Sequence, residues 1–265
     1  RAEQELASLA KQAAGKRARI ARWLVFHQNE ASTKERWIKL ARAHLKGAPV
    51  GSGTNQYFTE LNRERPDPSW LDVACYSLNP QVHAFDNLSL AENLSLFGAA
   101  WTLGSIKYLA EAGANSITYY ETHGWGGLME TAQGAGLPDL FPSMPGAVFP
   151  LFHVLRDIAG ATSVTPTHSS DPLAVISLLF EHVGGSSLLL ANLTDQPQVV
   201  KLEAGPKGNN WGMRVLDAES YDRATTQPSE FRSERHASIR WDTTPARREI
   251  ALQPYATVRL AGITG

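Results

Sequence analysis

Helix and strand patterns alternate along this chain up to about residue 163, and beyond that point only short strand patterns remain. Alternation followed by strands alone predicts an α/β part succeeded by an all-β module. Leu6, Leu9, Ala10 and Ala13 repeat at the spacing of an amphipathic helix, which Gly15 stops. Residues 20–26 (IARWLVF) form a buried-strand run. Ser32 with Glu35 makes a capping box for a helix whose inner face is Trp37, Ile38, Ala41 and Leu45 and whose end is Gly47. Strand signals recur at 49–54, 71–78 and 116–120, and Ser89 with Glu92 marks the start of a helical stretch that reaches Glu111 and closes at Gly113. A last helix is predicted over 147–159.

This alternation predicts parallel strands joined by helical crossovers. An eight-stranded (β/α) barrel takes about 250 residues, more than precede residue 163. The first part is therefore an open doubly wound sheet or the C-terminal portion of a TIM-type barrel. Runs rich in Val, Ile and Leu at 174–181, 186–193, 197–203, 213–216, 237–241, 249–252 and 256–261 carry no helical period, which predicts an all-β module, most simply a sandwich. The fold class is thus α/β plus all-β, divided into 1–162 and 163–265.

Composition narrows the function classes. A formal net charge of -1 offers no basic footprint for nucleic acid. The single cysteine, Cys75, excludes an internal disulfide framework and a cysteine-built zinc site. No apolar run approaches the roughly 20 residues that span a bilayer. The chain opens at Arg1 directly in a helical pattern, which reads as the interior of a longer protein, and a cytoplasmic location is the default expectation. The sequence lacks HExxH spacing, a GxSxG elbow, a Walker loop and GxGxxG, so neither a metal nor a cofactor is predicted.

Reactive groups in parallel α/β architectures sit at the C-terminal ends of strands and in the loops that follow. Three such places are dense in polar chemistry. The first holds Thr54, Glu60, Asn62 and Arg63; the second Tyr76, Asn79 and His83; the third Tyr119, Glu121, His123 and Trp125. The first strand adds His27, Gln28, Asn29 and Glu30. Two carboxylates and two imidazoles beside aromatics on one rim suit a sugar-like ligand, with ring faces covering C–H surfaces and amides taking hydroxyls. Each has a plainer role beside it: Glu60 as a loop carboxylate pairing with Arg63, His83 as a hydrogen-bonded loop histidine. His44, His153, His168, His182 and His236 read as surface or packing residues, and Trp23, Trp37 and Trp101 as core.

The segments GSGTNQYFTELNR (51–63), YSLNPQVHAFDNLSL (76–90), SLFGAAWTLGSIKYLAEAGANSITYYETHGWGGLME (95–130) and PYATVRLAG (254–262) resemble the D-apionate lactonase family. That resemblance implies a (β/α) barrel similar to those of glycoside hydrolases, flanked by β domains, and hydrolysis of a sugar-acid lactone in bacterial pentose catabolism. It also implies that the first barrel strands lie outside this chain and that a segment is missing where Asn93 and Ser95 are nearly adjacent. His123 and Gly126 stand where the family pattern leads one to expect Thr and Arg.

Lactone opening requires a base to activate water, donors for the developing oxyanion and a proton for the leaving alkoxide. Glu121 or Glu60 is the expected base and His83 the proton donor or relay. Asn79 and Asn62 are expected to orient the carbonyl, with Tyr76, Tyr119 and Trp125 shaping the pocket and Thr54 and Arg63 completing it. Two alternatives stay open: a glycoside hydrolase with Glu60 and Glu121 as its carboxyl pair, and a non-catalytic carbohydrate-binding fragment. The partner in every case is a small sugar lactone or glycoside, with neither nucleic acid nor membrane expected.

Overall fold

The computed structural model describes residues 1–16, 19–78, 86–92, 94–119, 121–124, 126–203, 210–233, 238–240 and 249–262. The chain divides into two compact units, Arg1–His83 and Ala84–Gly265.

In the first unit, helix α1 (Ala2–Gly15) precedes β1 (Trp23–Leu24), α2 (Glu35–His44), β2 (Val50–Tyr57), α3 (Phe58–Glu64) and β3 (Val73–Ser77). The three strands form one parallel sheet in the order β1-β2-β3, as a strand–helix–strand pattern dictates. Ile38, Ala41 and Leu45 of the α2 face pack on Val50, Trp23, Val25 and Leu71 on one side of the sheet. Leu24, Phe26 and Tyr76 of this unit are exposed.

Local capping departs from the sequence pattern. Ser32 does not cap α2: its hydroxyl donates to the Gly53 carbonyl at 3.3 Å, and the Lys34 amide is taken by the Glu30 carboxylate at 2.9 Å. The hydroxyl is buried beside β2, so a strand carbonyl competes successfully for it. The strand over 20–26 shrinks to two residues because β1 pairs only where Val50 and Gly51 lie alongside it.

Gly53 decides how β2 meets β3. It has φ +148°, and a Cβ there would stand 2.2 Å from the Cys75 carbonyl oxygen. Beyond it the register jumps from Gly53↔Cys75 to Tyr57↔Ser77, a bulge that carries Thr54–Gln56 out of the ladder.

The second unit begins with α4 (Asn87–Glu92) and α5 (Leu96–Glu111). The predicted cap at Ser89 is instead inside α4, where its amide and hydroxyl both reach Asp86, and Ser95 caps α5 by accepting from the Phe97 amide at 3.2 Å. The strand expected at 116–120 is absent from the described residues: 116–119 have no ladder partner there.

Helix α6 (Pro150–Ile158) leads into β4 (Ala161–Thr165), β5 (Val175–His182), β6 (Gly185–Asn192), β7 (Gln198–Lys201) and β8 (Asn210–Leu216). Then come α7 (Tyr221–Thr226), α8 (Pro228–Ser233), β9 (Ser238–Arg240), β10 (Glu249–Leu252) and β11 (Thr257–Gly262). The two short helices correct the expectation that no helix survives past residue 163. Each has six residues, too few to show a period. Strand β4 straddles 162–163 and belongs by pairing to the sheet of the β module.

A six-stranded antiparallel sheet runs β4-β5-β6-β11-β8-β9, and β10 pairs with β7 separately. Alternation along the strands buries both faces of the larger sheet. Ile176, Leu178, Phe180, Leu189 and Ala191 meet Ala99, Leu103, Leu151 and Val154 of α5 and α6. Leu188, Leu190, Val258 and Leu260 meet Leu202, Ile250 and Leu252 at the smaller sheet. The module is therefore a β-sandwich with helices on its outer face. No helix among the described residues is long and apolar enough to cross a membrane.

Candidate active site

At the C-terminal end of β2, the bulge releases the chain into α3 and sets Glu60 in the first turn of that helix. Its Oε1 lies 3.5 Å from Arg63 Nη1, while Oε2 is buried with no hydrogen-bond partner among the described residues. Buried carboxylate oxygens are mostly satisfied in folded proteins, so this oxygen is one that can still accept from a water or a ligand. Thr54 is buried on β2 and its Oγ1 accepts from the Gln56 amide at 2.9 Å. Tyr76 on β3 is exposed and meets the Phe58 ring edge-on at 5.1 Å, so the two aromatics form one wall near the start of α3. Asn62 and Arg63 are exposed on α3, and the Asn62 carbonyl accepts from Arg65 Nε at 3.1 Å.

The second carboxylate of this unit has a different character. Glu30 accepts from Trp37 Nε1 at 3.0 Å, the Lys34 amide at 2.9 Å and Arg36 Nη2 at 2.8 Å. Burial pushes its pKa up, but the Trp37, Lys34 and Arg36 donors outweigh that and hold it down to about 2. His27 stacks on the Trp37 ring at 4.5 Å. With its oxygens occupied and its charge fixed, Glu30 anchors the loop after β1 and is a poor proton carrier. Of the two, only Glu60 has an oxygen to spare.

In the second unit, Glu121 is exposed. It lies in a tight turn in which its amide donates to the Gly126 carbonyl at 3.0 Å and Gly127 donates to Gly124 at 2.8 Å. A Cβ on Gly126 would sit 3.7 Å from Glu121 Oε2, so the carboxylate lies over bare backbone. A Cβ on Gly127 would meet His123 N at 2.7 Å, so this turn needs glycine. Tyr119, expected in the pocket wall, packs instead against the α5–α6 core, and its hydroxyl lies 2.6 Å from Ser105 Oγ. Asn79, His83 and Trp125 lie outside the described residues. Among the described residues no group of three or more His, Cys, Asp or Glu side chains could hold a metal ion.

A polar cluster that the sequence does not suggest lies on the helix-covered face of the sandwich. Asp157 of α6 accepts from Arg214 of β8 and, at 2.7 Å, from Arg232 of α8, with Arg259 Nε of β11 3.8 Å away. One signal was present: Arg214 and Arg259 interrupt apolar runs at alternate positions of strands that helices cover.

Comparison with known proteins places these features. The profile described as "D-apionate lactonase, TIM barrel domain" matches residues 1–95 and 93–163, two stretches that overlap at Asn93–Ser95. The profile described as "D-apionate lactonase, C-terminal immunoglobulin-like domain" matches residues 172–260. A curated D-apionate lactonase from Brucella anthropi is 43% identical over 54 residues, a stretch that is 20% of this chain and 9% of the relative. In structure, the chain is similar to a glycoside hydrolase family 30 endoxylanase from Clostridium papyrosolvens, with a TM-score of 0.58 and 11% identity over 99% of this chain and 70% of that one. A family 30 subfamily 8 xylanase from Clostridium acetobutylicum gives a TM-score of 0.57 and 10% identity over 98% and 70%. At such identities the likeness concerns the fold.

Proposed function

The chain belongs to the D-apionate lactonase family, and on that premise we propose that it opens the ring of a sugar-acid lactone of the D-apionolactone type. The observation that carries this reading is the buried Oε2 of Glu60, without a partner among the described residues, in the helical turn that follows a parallel strand. Glu60 takes a proton from water, and the resulting hydroxide adds to the lactone carbonyl carbon as the C=O electron pair moves onto oxygen. Collapse of the tetrahedral intermediate breaks the ring C–O bond, and the leaving alkoxide takes a proton, giving a hydroxy acid. Asn62 and Arg63 supply donors to the substrate oxygens, Thr54 lines the floor, and Tyr76 covers a C–H face. His83 and Asn79 are assigned as proton donor and carbonyl ligand. Glu121 is the alternative base, with Trp125 and Tyr119 the aromatics of its own segment. The division into 1–162 and 163–265, with a cytoplasmic location and no cofactor, belongs to the same proposal.

Turnover of aldonolactones, followed by the proton that each hydroxy acid releases at neutral pH, tests the reading. The expected result is acid release from five-carbon lactones and none of the coloured product from nitrophenyl glycosides. Glycoside cleavage with inert lactones would favour paired-carboxylate chemistry instead.

A further inference from the structure

We propose that two copies of this chain associate through the free edge of β1, the two strands running antiparallel about a two-fold axis at Leu24. This surface lies apart from the lactone chemistry and does not depend on it.

Strand β1 ends the three-stranded sheet, and among the described residues it pairs with β2 alone. The Trp23 amide donates to the Pro49 carbonyl at 2.8 Å and the Val25 amide to that of Gly51 at 3.0 Å. Backbone groups alternate in direction along a strand, so those of Arg22, Leu24 and Phe26 point to the opposite edge. Folded proteins commonly blunt such an edge with a lysine or a proline, and the run 23–26 (WLVF) contains neither. Leu24 is 49% exposed and Phe26 39%. The edge therefore offers unused hydrogen-bonding groups and apolar side chains together.

A second copy satisfies both needs. A two-fold contact sets the same strand against itself, and centred on Leu24 it lets Leu24 and the partner's Leu24 exchange both backbone hydrogen bonds. Arg22 then stands across from the partner's Phe26, a guanidinium beside an aromatic ring. Charge agrees with this direction. At the C-terminal end of β1, Phe26 and Gln28 border a groove of about 630 Å³ together with Leu6, Leu9, Glu3 and Glu5 of α1. Arg1 answers Glu5 at 3.0 Å, which leaves Glu3 with His44 at 3.7 Å. At the other end of β1, Lys16, Arg19 and Arg22 pair with no carboxylate among the described residues. Antiparallel pairing brings the basic end of each copy to the acidic groove of the other, so the match is made twice.

Sedimentation equilibrium of the whole chain from about 1 µM to about 1 mM reads the contact, the range in which a small interface associates. The weight-average mass should climb from 28.9 kDa toward twice that value. Leu24→Lys, which sets two ammonium groups face to face at the axis, should hold it at the lower value. A mass that stays at 28.9 kDa throughout overturns the proposal, as does a rise that Leu24→Lys leaves unchanged. Should that variant fail to fold, charge exchange decides the matter. A Glu3→Arg, Glu5→Arg chain and an Arg19→Glu, Arg22→Glu chain should each associate less than the unaltered chain, and their equimolar mixture should regain the mass. None of these side chains is buried, so the fold tolerates the changes. A mixture no heavier than its two components overturns the proposal.

Discussion

His153 Nε2 lies 2.9 Å from the carbonyl oxygen of Ala224, so the imidazole donates there and is held neutral between α6 and α7. Burial lowers its pKa to about 4, the Ala224 carbonyl and Asp157 oppose the shift, and Arg214 and Arg232 reinforce it. An unfolded histidine titrates near 6.5, so between about pH 6.5 and pH 4 the unfolded chain binds more protons. Stability therefore falls as the pH drops through that window and is flat above it, by an amount on the order of 3 kcal/mol for a shift of this size. Urea unfolding at pH 7 and pH 4 should show this loss, and His153→Leu should remove most of it. An equal pH slope in the variant would contradict the assignment.

Asp157 holds the Arg214, Arg232 and Arg259 side chains to one helix. Asp157→Ala leaves three guanidiniums without their counter-charge and should destabilise the second unit by about 3–5 kcal/mol. Adding Arg214→Met to that variant should recover part of the loss, because the double change removes a stranded charge. Additive losses measured by chemical denaturation would show that the residues act separately.

Gly53→Ala should damage the first unit more than its size suggests. The new Cβ would meet the Cys75 carbonyl at 2.2 Å in a backbone conformation unfavourable to side chains. The strands must separate or slip, at about 3 kcal/mol or more. Gly47→Ala makes a useful control: it has a positive φ of +80° but nothing within 4 Å, so its penalty is conformational alone and should be smaller.

What the sequence made legible was governed by distance along the chain. The Leu6–Ala10 stripe, the Ile38–Ala41–Leu45 face and the alternation in 174–193 are local periodicities, and each became an element near its predicted place. Capping at Ser32 and Ser89 misled because the S-x-x-E spacing is local, whereas the competing partners are set by packing: Gly53 for Ser32 and Asp86 for Ser89. At the candidate site, Glu60 could be found from its position after a strand, but the lack of any partner for Oε2 could not. The Asp157 cluster could not be assembled from the sequence for a stronger reason, although Arg214 and Arg259 each stood out in an apolar run. Its members lie at 157, 214, 232 and 259, and only the antiparallel register of β8 and β11 and the docking of α6 and α8 bring them together.

The lactone reading rests on Glu60 as the group that activates water, and Glu60→Gln tests it most directly because the amide keeps the shape and loses the base. With an aldonolactone that the unaltered chain hydrolyses, kcat should fall by about 10²–10⁴ while the thermal midpoint stays within a few degrees. Undiminished turnover in a folded Glu60→Gln chain would contradict the account, and the parallel Glu121→Gln variant would then show whether the base lies in the other unit.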